Sequence, residues 1–159
     1  MTSPPSADAI RFRAAGRGDV PAIVALLRDD SLGAAREVED LGDYLAAFDR
    51  IAAEGVTTIL VGEDAAGEIV ATCHLTILAG LSRRAALRAQ VESVRVAASL
   101  RGQGIGAALM AEAERRAAAA GCTLVQLTSD VRRTRAAEFY RRTGYEATHL
   151  GFKKPIAVD

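Results

Sequence analysis

One stretch of this chain concentrates groups that can do chemistry through the backbone. Val94-Arg95-Val96-Ala97-Ala98-Ser99-Leu100-Arg101-Gly102-Gln103-Gly104-Ile105-Gly106-Ala107-Ala108-Leu109 runs from a β-branched segment, through three alternating glycines, into a helical pattern. Glycine has no Cβ, so its N–H can approach a ligand closely. The first turn of a helix adds unpaired N–H donors and a partial positive charge. Together they suit a phosphate or diphosphate, and Arg101 can add a charged contact. The spacing excludes two common alternatives. No lysine and hydroxyl follow the last glycine, as a P-loop needs, and G-x-G-x-G is not the dinucleotide pattern G-x-G-x-x-G. A tight turn with small residues for close packing is the plainer reading of the same letters.

That turn needs a strand before it and a helix after it. Ala89–Val96 alternates as a strand, residues 97–103 are a turn, and Gly104–Ala120 is a helix with Ile105, Leu109, Ala113 and Ala117 on one stripe. Upstream, residues 10–13 read as a strand. A helix then runs from an Asp19 cap, with Pro21 in its first turn, to about Asp30. Residues 31–36 are expected as a loop and 37–54 as a helix closed by Gly55. Residues 57–62 and 68–78 form a hairpin across Asp64-Ala65-Ala66-Gly67. Downstream, Thr123–Thr128 is continuously apolar, which suits a buried central strand. Residues 134–143 form a last helix, and 145–147 and 149–153 have the pattern of closing strands. The order β-α-α-β-β-β-α-β-α-β(-β) predicts a single-domain α/β fold. It has a mixed, largely antiparallel sheet flanked by helices, spanning 10–159 behind a disordered tail at 1–9.

Two motifs inside this order carry a resemblance. Arg101-Gly102-Gln103-Gly104-Ile105-Gly106 matches [Q/R]-x-x-G-x-[G/A], and Ala136-Ala137-Glu138-Phe139-Tyr140-Arg141-Arg142-Thr143-Gly144-Tyr145 matches A-x-x-F-Y-x-x-x-G-[F/Y]. Both are similar to signatures of the GCN5-related N-acetyltransferases. Glu92–Val96 resembles the strand before the first signature, and Gly121–Leu127 the strand after it.

The resemblance implies acetyl-CoA as acyl donor, a primary amine of a small molecule or peptide as acceptor, and direct transfer in a ternary complex. Backbone groups of Val94 and Val96 would pair with the pantetheine arm. The amides of Arg101, Gly102, Gln103, Gly104, Ile105 and Gly106 would hold the diphosphate. Tyr140 stands where the family places the proton donor to the departing thiolate. Its O–H can donate there, although the same tyrosine could simply pack beside Phe139.

Glu92 is the candidate base. On strict alternation it shares a face with Val94 and Val96, where a carboxylate would bind protons more readily than in water. A β-bulge would change that facing, and a solvated or arginine-paired carboxylate is the plainer reading. Where many family members have asparagine, this chain has Arg133, in the basic run 132–135. It reads as a CoA-phosphate contact or a solvated helix start.

Other residues carry less. His74, with Thr72 and Thr76 on its strand face, could relay a proton, but a lone histidine in a half-buried strand is more often structural. His149 has still weaker claims. Glu37, Glu39, Asp40 and Asp43 would suit a cationic amine or a wet helix face. Arg83, Arg84 and Arg88 read as a solvated loop, an anion contact or part of a homodimer seam. Cys73 and Cys122, 49 positions apart in apolar surroundings, are expected as free thiols. No His, Cys and carboxylate spacing suggests a metal.

The composition bounds the rest. Twenty basic and 20 acidic residues in 159 give zero net charge, so nucleic acid is not an expected partner. No apolar run approaches the ~20 residues of a membrane span. The first residues lack the basic start and apolar centre of a signal peptide, which predicts a cytoplasmic protein. Eighteen of the basic residues are arginine and alanine is abundant, a bias typical of GC-rich bacterial genes. Two other functions stay open at this stage: a non-catalytic acyl-CoA-binding sensor on the same fold, and an unrelated phosphate-binding module.

Overall fold

The computed structural model describes residues 7–157. The first six positions of the expected tail lie outside them, and residues 7–9 form one 3-10 turn that Ile10 N–H closes onto Ala7 O. By contacts the chain falls into two compact units, 1–126 and 127–159.

The first unit holds β1 (Arg11–Ala14), α1 (Val20–Arg28), α2 (Ser31–Ala34), α3 (Gly42–Glu54), β2 (Thr57–Glu63) and β3 (Ile69–Leu78). It continues with a short turn, α4 (Ser82–Ala85), then β4 (Arg88–Val96), α5 (Ile105–Ala119) and nearly all of β5 (Leu124–Leu127). The sheet order is β1-β2-β3-β4-β5, with β1 to β4 antiparallel in sequence. Thr123 N–H meets Leu87 O and Gln126 meets Gln90, so β5 runs parallel to β4. The helical crossover α5 is the connection a parallel pair requires. The sheet is therefore mixed and largely antiparallel, as expected.

Alternation sorts the core. Ile59 and Val61 pack with Ile23 of α1 and with Phe48 and Ile51 of α3 on one face. The buried Leu60, Cys73, Leu75 and Val91 alternate to the other face, which α5 covers with Ile105, Leu109, Met110 and Ala113. Cys73 is a free thiol, and burial pushes it up to about 12; Cys122 is also free but only half-buried.

The outer side of α5 carries an ion-pair network. Glu112 takes Arg115 Nε at 2.8 Å and Arg116 Nε at 2.6 Å, and these hydrogen bonds hold its carboxyl down at about 2. A lowered carboxylate stabilises the fold above its unfolded value and loses that contribution as pH falls through the folded one. Because both arginines are solvated, the two helix pairs together contribute about 0.5–1 kcal/mol. Urea denaturation at pH 7 should show Glu112→Gln weaker by that amount, and the gap should close between about pH 4.5 and 2. A constant gap across that window would remove the ionic account.

Several sequence expectations are corrected. Residues 31–34 are helical instead of loop, because Asp30 caps them through Gly33 N–H at 2.6 Å. The next helix starts at Gly42 rather than 37, where Asp40 Oδ1 accepts Gly42 N–H. β5 is a four-residue strand at the end of the sheet order, not a central one, and Leu124 is 37% exposed. Residues 145–157 form no strand. Their alternation marks a face, but a strand also needs a ladder partner, and Leu150 and Phe152 stay 84% and 89% exposed. The second unit contains α6 (Thr134–Arg142), as expected.

Candidate active site

The turn between β4 and α5 is built to present amides. Gly102 and Gly104 take φ of +80° and +82°, the left-handed region that L side chains avoid. Gly104 is also the N-cap of α5. The six consecutive N–H groups of residues 102–107 donate to no protein acceptor among the described residues; the first inward bond of the helix is Ala108 N–H to Gly104 O.

Struts hold this cradle. Asp29, just past α1, accepts Ala98 N–H at 2.7 Å. Arg101 Nη2 donates to Asp29 O at 2.6 Å, and Arg101 Nε to Val96 O at 2.9 Å. Gln103 Nε2 reaches Ser99 O at 3.2 Å. The Arg101 side chain, expected to reach for the ligand, ties the turn to the end of α1 and stays 46% exposed. Asp29 and Asp30 were not singled out in the sequence. Asp30 pairs with Arg95 at 3.3 Å, so both acids at the end of α1 hold the end of β4. Only their position beyond an apolar helix hinted at this.

The end of β4 is irregular. Thr72 pairs with Arg95 and His74 with Glu92, so Cys73 faces two residues, and Ser93 has φ of +53°. This is a β-bulge. It overturns the expected facing: Glu92 shares a face with Arg95 and His74, while Val96 alternates to the side of Ala71. The one inserted residue is the cause, since every later side chain changes face. β5 spans four residues against nine of β4 and meets the 87–90 end. Among the described residues, the Val94–Val96 end therefore has β3 alone as a ladder partner. The Val94 carbonyl accepts Arg95 Nη1 at 2.9 Å.

Glu92 is exposed and sits directly opposite His74. Burial holds the His74 imidazole below its ordinary value, while the Glu92 charge pulls the other way. His74 also lines a cavity of about 80 Å³ with Tyr44, Phe48, Ile51, Ile59 and Leu27. The neighbouring acids are engaged locally. Glu37 accepts the Tyr44 hydroxyl at 2.8 Å, Glu39 pairs with Arg28 at 3.2 Å, and Asp40 caps Gly42.

In the second unit, Tyr140 lies on α6 with its ring edge-on to Phe139 at 5.1 Å and to Tyr145 at 6.0 Å. Its carbonyl accepts Tyr145 N–H at 3.0 Å across the left-handed Gly144. That explains the spacing of the aromatic motif. Arg133 occupies the N-cap position of α6 without a side-chain capping bond, and Arg132 pairs with Asp130 at 2.7 Å.

A mixed sheet with a bulged fourth strand feeding an amide-lined helix start defines an α/β domain of a recognisable class. The chain belongs to the acetyltransferase (GNAT) family, whose model matches residues 21–145. It is similar to a solved structure of a transcriptional regulator from Bacillus halodurans C-125, 35% identical over 92% of this chain and 99% of that one, with a TM-score of 0.88. Its fold is also that of glucosamine-6-phosphate N-acetyltransferase from Arabidopsis thaliana, 22% identical over 93% and 99%, TM-score 0.77. A curated relative is an aminoalkylphosphonate N-acetyltransferase from Salmonella typhimurium, 37% identical over 67 residues. That match covers 42% of this chain and spans less than half of the relative, 44%. No helix among the described residues is long and apolar enough to cross a membrane.

Proposed function

We propose that the protein is an acetyl-CoA-dependent N-acetyltransferase that acetylates a primary amine by direct transfer in a ternary complex. The observation that carries this reading is the run of six amides at 102–107 that meet no protein acceptor among the described residues. Among the described residues, no atom lies within 4 Å of the place a Cβ would take at Gly102. Such donors fit the diphosphate of a coenzyme. Among the described residues the 94–96 end has β3 alone as a ladder partner, and the pantetheine arm would lie along its other edge.

The chemistry follows from the roles that the family resemblance gives these residues. An alkylammonium has a pKa of ~10, so a proton must leave before nitrogen can attack. Glu92 takes it, with the neutral His74 beside it able to pass it on. The nitrogen lone pair forms the new bond to the acetyl carbon, and the carbonyl π electrons move to oxygen, which a β4 N–H such as that of Val94 stabilises. The electrons then return, the C–S bond breaks and Tyr140 O–H gives its proton to the thiolate, while the second ammonium proton leaves the nitrogen to solvent and a proton from solvent restores the Tyr140 phenol. Arg133 adds charge for a coenzyme phosphate. The protein works in the cytoplasm without a metal.

The likeness to a transcriptional regulator supports a second reading, a non-catalytic domain, which on this fold would be an acyl-CoA-binding sensor. A thiol-release assay with acetyl-CoA and a panel of amines separates the two, and an aminoalkylphosphonate belongs in that panel. Amine-dependent thiol release at 1–10³ per second is the ordinary enzymatic range. Coenzyme binding without release would support the sensor instead.

A further inference from the structure

A row of polar side chains crosses one face of the sheet beside the Glu92–His74 pair. Thr57 and Thr76 are register partners on β2 and β3 and share a hydroxyl hydrogen bond of 2.7 Å. Thr76 faces Gln90 on β4, and Gln126 Nε2 on β5 donates to Gln90 Oε1 at 2.8 Å. Arg88 Nη1 donates to Gln126 Oε1 at 3.3 Å. All five side chains are half-buried.

The row holds more donors than acceptors. Arg88 has five N–H groups, and one is used. Gln90 Nε2 donates to nothing among the described residues, and Gln126 Nε2 has a second N–H to spare. Other half-buried arginines of this unit are matched: Arg13, Arg28, Arg95 and Arg116 each hold a carboxylate. Arg88 holds none among the described residues, although a charge leaving water normally needs a partner. The row is therefore short of an acceptor-rich anion.

It is also placed to orient a substrate. Gln90 and Glu92 are two residues apart on one strand face, roughly 7 Å. We propose that the Arg88–Gln126–Gln90 row is the acceptor-specificity site and that it binds a carboxylate or phosphonate on the same short molecule whose amine lies at Glu92 and His74. This rests on the transferase reading and adds the substrate class to it: small amines with an anionic group a few bonds away.

Steady-state kinetics should compare 4-aminobutyrate and 3-aminopropylphosphonate with butylamine. Hydrogen bonds to charged groups are worth about 1.5–3 kcal/mol, or roughly 10–100-fold. Wild type should favour the anionic amines by at least about 10-fold. Arg88→Gln and Gln90→Leu should erase that preference through KM, leaving butylamine turnover, the KM for acetyl-CoA and the melting temperature near wild type. Equal use of charged and neutral amines by wild type would overturn the proposal while leaving the transferase intact. If no amine is acetylated, calorimetry with 3-aminopropylphosphonate decides. Heat in wild type that Arg88→Gln removes keeps the site although the reaction fails, and no heat in wild type discards it.

Discussion

Gly104→Val should weaken acetyl-CoA binding by at least about 100-fold, the equivalent of roughly 2.8 kcal/mol. Gly104 combines two demands. Its φ of +82° is the left-handed region, where a β-branched residue costs about 1–2 kcal/mol or more. It is also the N-cap of α5, so its backbone sets the direction of the amides on both sides. A valine there must move the chain towards negative φ, which turns the neighbouring N–H groups away from a common point. The fold itself has room to yield, because the nearest atom to a built Cβ is Ala7 Cβ at 3.7 Å. The loss should therefore appear in the coenzyme Kd far more than in the melting temperature. Calorimetry with CoA beside thermal denaturation measures both, and an unchanged Kd would falsify the cradle.

The elements around this turn were legible because each has a local signal. Glycines at 102 and 104 precede a helix with a clear apolar stripe, and the hairpin at 64–67 ends on Gly67 at φ +84°. The bulge at Ser93 was not legible in the same way. A one-residue insertion exists only relative to a partner strand, and no letter in Glu92-Ser93-Val94 marks it, so strict alternation put Glu92 on the wrong face. The partners of Arg101 are hidden from the sequence for a similar reason. An arginine beside an anion site reads as a ligand contact, yet Asp29, 72 positions earlier, takes its guanidinium. The closing strands at 145–153 show the converse, since an alternating pattern supplies a face but not a neighbour to bond. Left-handed φ values near +55° to +60° at Arg83, Arg84 and Ala85 had no glycine to announce them. His74 was visible as a residue, but its place in the α1–α3 cavity depended on the packing of two helices.

Proton handling should divide cleanly between two variants. Tyr140→Phe keeps the ring that stacks on Phe139 and Tyr145, so α6 should fold as before, and only the hydroxyl is lost. A lost general acid costs about 10²-fold or more in kcat. The KM for acetyl-CoA should hardly move, because the amide cradle is untouched. Glu92→Gln removes the proton acceptor next to His74 at a solvent-exposed position, so stability should be near wild type. Its kcat/KM should also fall by about 10² at pH 7. Its pH profile carries the sharper information. Without a base only the already neutral amine reacts, and that fraction grows about tenfold per pH unit up to ~10. The variant should follow that slope and approach wild type at high pH, whereas wild type should level off earlier. Burial keeps His74 neutral near pH 7, so it can serve as a relay in wild type and as a weaker base in the variant. His74→Gln placed on Glu92→Gln should then lower the rate further. Parallel pH profiles for wild type and Glu92→Gln would take the base role from Glu92, and wild-type kcat in Tyr140→Phe would take the acid role from Tyr140, each without touching coenzyme binding.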